Sequence, residues 1–165
     1  MENNLDIKKD IEKTQINVFD FANYLIEKAH QENQEINNTR LQKLLYYAQA
    51  YYLVNNNKQP LFEEPIEAWD YGPVIPDLYF EFRKFVFNKI VKSSKATNNQ
   101  LSIKQKEALD FVLYKYKNKS ANQLSKQTHK EDPWQDRFEN FDFMLNRITN
   151  DDLYNYFYKK MKKII

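Results

Sequence analysis

The chain has no cysteine, one glycine (Gly72) and two histidines (His30 and His129) among its 165 residues. The missing cysteine excludes a disulfide framework, a thiol nucleophile and any cysteine-ligated zinc or iron–sulfur centre. A single glycine cannot build a glycine-rich phosphate cradle, which excludes P-loop and dinucleotide-binding loops. No HExxH-like spacing surrounds either histidine, so no metal and no cofactor are expected. No run approaches the ~18 apolar residues that span a bilayer. The opening MENNLDIKKDIEKTQ has no apolar core to serve as a signal peptide. A cytoplasmic location without a membrane partner is therefore expected. Charge of one sign is scarce too: 25 basic against 23 acidic residues leave a net charge of +2. That is no nucleic-acid footprint, and nucleic acid is not an expected partner.

What the chain does have is aromatic surface: 12 Tyr, 12 Phe and 2 Trp make up 16% of it. Rings in this number supply both a core and the anchors that protein interfaces favour. The length fits one domain. Residues 1–16 read as a polar leader, and 17–165 as the domain.

Helical spacing dominates. Val18, Phe21, Ala22, Leu25, Ile26 and Ala29 trace a first helix, with Asn17 as its N-cap and Asp20 in its first turn. A second begins near Asn38 or Thr39 and carries Leu41, Leu44, Leu45, Ala48, Tyr51 and Tyr52. Asp77 caps a third. Ser102 with Gln105, Ser120 with Gln123, and Thr149 with Asp152 have capping-box spacing, opening three more. The segment Pro60 to Pro76 differs, holding four of five prolines and the only glycine. There Ile66 to Trp69 forms a small extended or β element near residues 65–70, and Tyr71-Gly72-Pro73 is a turn signal. Lys92 to Gln100 is a polar loop, and His129 to Trp134 a turn around Pro133. The expected fold is mainly α: a compact single domain of about six helices with that one extended element.

Few residues suggest chemistry. Glu67, Asp70 and His129 would serve a hydrolase if they met in one pocket, but no nucleophile-elbow motif accompanies them. His129, just past a short helix, is equally suited to bonding the helix's last carbonyls. Glu63, Glu64, Glu67 and Asp70 read as a solvated edge. Trp69 and Trp134 anchor loops to the core or serve as interface hot spots. Tyr46, Tyr47, Tyr51 and Tyr52 read as core and boundary packing, with Arg40 and Lys43 adding basic character to the same helix. The terminal Lys159, Lys160, Lys162 and Lys163 complement a helix dipole. They also leave open a nucleic-acid-binding regulator, whose binding would fall steeply with salt.

Three separated stretches carry a resemblance. They are TRLQKLLYYAQ from Thr39, PLFEEPIEAWDYGPVIPDLY from Pro60, and SANQLSKQTHKEDPW from Ser120. In this order, with VFDFANYLI upstream, they resemble the Panacea domain family of SocA-like and phage-associated GepA-like proteins. The resemblance implies a compact helical fold and a place in a toxin–antitoxin pair, where such a protein neutralises a separately encoded toxin. One branch of the family acts as an adaptor that delivers its toxin to a protease. The implied partners are thus a cognate toxin protein and a protease complex, and no catalytic role is implied. The motif positions singled out for partner binding or for the motif itself are Lys43, Tyr47, Glu67, Trp69, Gly72, Pro73, His129, Pro133 and Trp134.

Overall fold

The computed structural model describes residues 15–85, 89–138 and 145–162. Its elements run α1 (Val18–Gln31), α2 (Asn38–Asn55), β1 (Ile66–Trp69), β2 (Gly72–Val74), α3 (Pro76–Phe82), α4 (Ile103–Lys115), α5 (Ala121–Thr128), α6 (Asp132–Phe138), β3 (Arg147–Ile148) and α7 (Asn150–Lys162). The fold is mainly α, with seven helices among the described residues and one three-stranded antiparallel sheet in the order β2-β1-β3. None of the described helices is long and apolar enough to cross a membrane.

The helix starts follow their capping residues. Asn17 accepts the Phe19 N–H, and Asp20 returns a bond from the Asn17 N–H. Ser102 with Gln105, Ser120 with Gln123, and Thr149 with Asp152 make the reciprocal pairs that their spacing predicts. Asp20 has a second task that spacing does not show. Its Oδ1 accepts the Thr97 N–H at 2.8 Å and the Asn98 N–H at 3.1 Å, while Asn23 exchanges two bonds with the Ser93 backbone. The polar loop after residue 92 is thereby tied to α1.

Two expectations need correction, and one further element is added. Asp77 does not cap α3: Ile75 holds that position without a side-chain bond, and Pro76 starts the helix, where its missing N–H costs nothing. The helix then tightens into a 3-10 turn at Arg83–Phe85. The turn at His129 ends by Glu131, and Pro133 lies in the first turn of α6, a seventh helix that the proline obscured. A third strand, Arg147–Ile148, pairs with β1, setting Ile66 against Ile148 and Glu67 against Arg147. Residues 1–14 of the polar leader, and Lys163 of the terminal lysine run, lie outside the described residues.

The core surrounds α2. Every residue from Arg40 to Ala50 is buried, far more than a one-sided stripe. A helix so enclosed is normally apolar all round, yet this one carries Arg40, Gln42, Lys43 and Gln49. Each of these clamps a loop or strand whose backbone would otherwise be buried without partners. Arg40 donates to the carbonyls of Glu35, Tyr116 and Lys119. Gln42 Oε1 accepts the Ile75 N–H, and Lys43 Nζ donates to the Pro73 carbonyl. Gln49 accepts the N–H groups of Leu61 and Phe62 and donates to the Phe62 carbonyl. The central helix is therefore a polar spine inside an apolar shell. Gln49→Leu keeps the volume and orphans three backbone groups. It is expected to cost about 2 kcal/mol, read as a lower urea midpoint at unchanged slope.

Candidate functional site

The β1–β2 hairpin is fixed from beneath by side chains of three helices. From α2, Lys43 Nζ reaches the Pro73 carbonyl at 3.0 Å. At the end of α5, Thr128 stands under Gly72: a Cβ placed on that glycine would lie 2.6 Å from Thr128 Oγ1 and 2.7 Å from Lys43 Cε. Gly72 has φ +109°, in the region L-residues avoid. From α6, Trp134 Nε1 donates to the Trp69 carbonyl at 2.8 Å. The Trp134 ring lies between His129 and Phe138, with centroids 4.2 and 4.4 Å away. Trp69 in turn donates its indole N–H to Glu67 Oε2 at 2.8 Å.

Behind this frame lies a buried polar knot. Tyr46 and Tyr47 on α2 donate their hydroxyls to the Glu131 carboxylate, at 3.2 and 3.1 Å. Gln127 donates to the Tyr47 hydroxyl. Glu131 is 3% exposed. Burial pushes its carboxyl up to about 7, against the opposing pull of the tyrosine hydroxyls and of Lys160 and Lys115. Both tyrosine hydroxyls are in turn held well above their ordinary range by burial, and next by the Glu131 charge. Lys43 is the counterpart of opposite sign, and burial alone pulls its ammonium down to about 7.

Most of the nine residues singled out by sequence face inward. Lys43, Tyr47, Gly72, Pro73, Pro133 and Trp134 are buried; Glu67, Trp69 and His129 are half-buried. His129 does not bond the last carbonyls of α5 through its ring. Its ring packs on Trp134, and its buried Nε2 has no hydrogen-bond partner. Glu67, Asp70 and His129 are not gathered at one cavity: the hollow beside the hairpin is lined by Asp70 but by neither of the others. Glu64 is no solvated-edge residue either. It accepts the Val18 N–H, and burial raises its carboxyl. Arg40 and Lys43 offer no basic face, being buried among loop carbonyls. Among the described residues no group of three or more His, Asp or Glu is placed to hold a metal.

What faces outward is a ridge of rings. Tyr71 in the hairpin turn is 77% exposed and Phe80 on α3 is 55% exposed. Trp69 and Tyr79 pack beside Phe80, with the Trp69–Tyr79 centroids 5.0 Å apart and Tyr79–Phe80 5.5 Å apart, and Tyr71 lines the same hollow as Trp69 and Tyr79. Arg83 lies over the Phe80 ring. Beside the ridge opens a cavity of about 370 Å³ with Lys43 in its lining. Tyr71, Phe80, Glu131, Gln42 and Thr128 belong to this arrangement, and the sequence reading did not single them out. An aromatic in a turn, and a phenylalanine off the Leu78–Phe82 stripe, were available signals for the first two. Nothing local marks Glu131, which sits in the polar run HKED.

A helical body that locks one short hairpin in place and displays rings around it has the layout of a binding module. The description "Antitoxin SocA-like, Panacea domain" matches residues 41–135, from α2 into α6. The chain belongs to that family, and all nine positions fall inside the match. Antitoxin SocA of Caulobacter vibrioides (strain NA1000 / CB15N) is 32% identical over 124 residues. That match covers 68% of this chain and 65% of the relative, a little under two thirds of the relative's length. No solved structure matches.

Proposed function

We propose that the protein is an antitoxin that binds and neutralises a cognate protein toxin, acting by binding rather than by catalysis, in the cytoplasm. The observation that carries this reading is the exposed ring ridge on a hairpin clamped from below. Large exposed rings are costly to leave in water and are the usual anchors of protein interfaces. A pre-fixed hairpin lowers the ordering cost of association. Family membership supports the same reading: the relative in Caulobacter vibrioides is itself named an antitoxin.

In this reading the buried motif residues hold the ridge in shape, while Tyr71, Phe80, Trp69 and Tyr79 meet the toxin. Nucleic acid is not the partner. Neutralisation then follows one of two routes: occlusion of the toxin's working surface, or delivery of the toxin to a protease complex.

The test is co-expression with the product of the neighbouring gene. Growth arrested by that product alone is expected to recover when this protein is present. The double variant Tyr71→Ala, Phe80→Ala is expected to lose the rescue while melting as the parent does, since exposed substitutions change stability by only about 0.5 kcal/mol. Toxin that disappears on co-expression points to protease delivery, and toxin that persists points to occlusion. Full rescue by the double variant would remove the ridge from the interface. A neighbour that is harmless by itself would end the pairing.

A further inference from the structure

The cavity beside the hairpin is walled by rings and carries one exposed charge, a negative one. Trp69, Tyr71 and Tyr79 line it, together with the exposed Asp70 and Thr39. Among the described residues no Lys, Arg or His nitrogen lies within ion-pairing distance of Asp70. Lys43 also belongs to the lining, but it is 1% exposed and its ammonium donates to the Pro73 carbonyl, so it offers no charge to an incoming group. Trp69 donates its indole N–H to Glu67 Oε2. A hydrogen bond to a carboxylate polarises the indole and makes its ring face more negative.

That combination selects a sign of charge. A carboxylate would meet Asp70 and the negative faces of the rings, and both repel it. A neutral apolar plug would cover Asp70 and Thr39 without giving either a partner. A cation is attracted by the carboxylate and by the rings at once. The ridge already holds one such pair, with the Arg83 guanidinium 5.1 Å from the Phe80 centroid. We propose that this cavity is an aromatic socket for an arginine or lysine side chain of the toxin, with Asp70 as its counter-charge. The inference rests on the antitoxin reading and adds the chemistry of the partner's anchor.

The probe is the purified product of the neighbouring gene, titrated into the full chain by calorimetry. Asp70→Asn is expected to melt as the parent does and to bind at least fivefold more weakly. Each exposed Arg and Lys of the toxin is then changed to Gln. One such change is expected to weaken binding to the parent by a similar factor and to add nothing against Asp70→Asn, as coupled partners do. Tyr71→Leu keeps apolar bulk but removes the ring, and it is expected to couple to the same toxin position. Parental affinity in Asp70→Asn overturns the socket and leaves the antitoxin reading intact. Weakened binding with no coupled basic position on the toxin also overturns it. A basic position coupled to Asp70 but not to Tyr71 would reduce the contact to a plain surface ion pair, against the proposal. A parent that fails to bind the toxin removes both readings.

Discussion

Gly72→Ala is expected to lower the stability of the folded protein by about 2–5 kcal/mol. Two costs act together. At φ +109° an L-residue is strained, by about 1–2 kcal/mol. The added Cβ would also sit 2.6 Å from Thr128 Oγ1 and 2.7 Å from Lys43 Cε. Neither neighbour yields cheaply. Thr128 is fully buried and donates to the Ser125 carbonyl at 2.7 Å. Lys43 is held by the Pro73 carbonyl. Overpacking in such a place costs about 1–3 kcal/mol more. Urea unfolding reads the sum, and Thr128→Ser separates the costs: it leaves the clashing oxygen in place but frees its rotamer, so it should relieve part of the steric cost and none of the backbone strain. A loss below about 1 kcal/mol in Gly72→Ala would show that the hairpin floats above α2 and α5.

The sequence made the helices legible because their signals are local. Asn17, Ser102, Ser120 and Thr149 each announce a helix start within four residues, and all four caps form. The short strand at Ile66 was legible for the same reason, bracketed by prolines. What escaped depends on contacts distant in sequence. α6 was hidden because Pro133 reads as a stop when it is in fact in a first turn. β3 has only two residues and exists because Ile148 lies opposite Ile66. In α2 the periodicity showed an apolar stripe, but nothing local reveals that Arg40, Gln42, Lys43 and Gln49 point at loops 5 to 79 residues away. The candidate site divides along the same line. Its buttress was readable through the motif, while the ridge it supports required seeing which rings the packing leaves outside.

Those two buried charges lead to a stability profile opposite to the common one. Folding stability rises with pH wherever the unfolded chain binds more protons than the native one. Lys43 titrates at 10.5 when free and at about 7 when folded. Between these values the unfolded chain holds a proton that the native chain lacks, so stability climbs from pH 7 upward. Below pH 7 both forms are charged, and the full burial cost applies. Glu131 titrates at 4.5 when free and at about 7 when folded. Here the native chain holds the extra proton, so stability falls as pH rises from 4.5 to 7, and above pH 7 the cost is complete. The two limbs meet near neutrality as a minimum, each sloping by up to about 1.4 kcal/mol per pH unit. Glu64, also raised by burial, reinforces the acid limb, and His30, lowered by burial, opposes it. Tyr46, Tyr47 and Tyr116, all raised, turn the profile down again above pH 10. Urea midpoints at pH 5, 7 and 9 should therefore be lowest at 7. Glu131→Gln should flatten the rise toward pH 5, and Lys43→Met the rise toward pH 9, each without touching the other limb. A parent most stable at pH 7, with both variants parallel to it, would mean that water or a counter-charge reaches these groups.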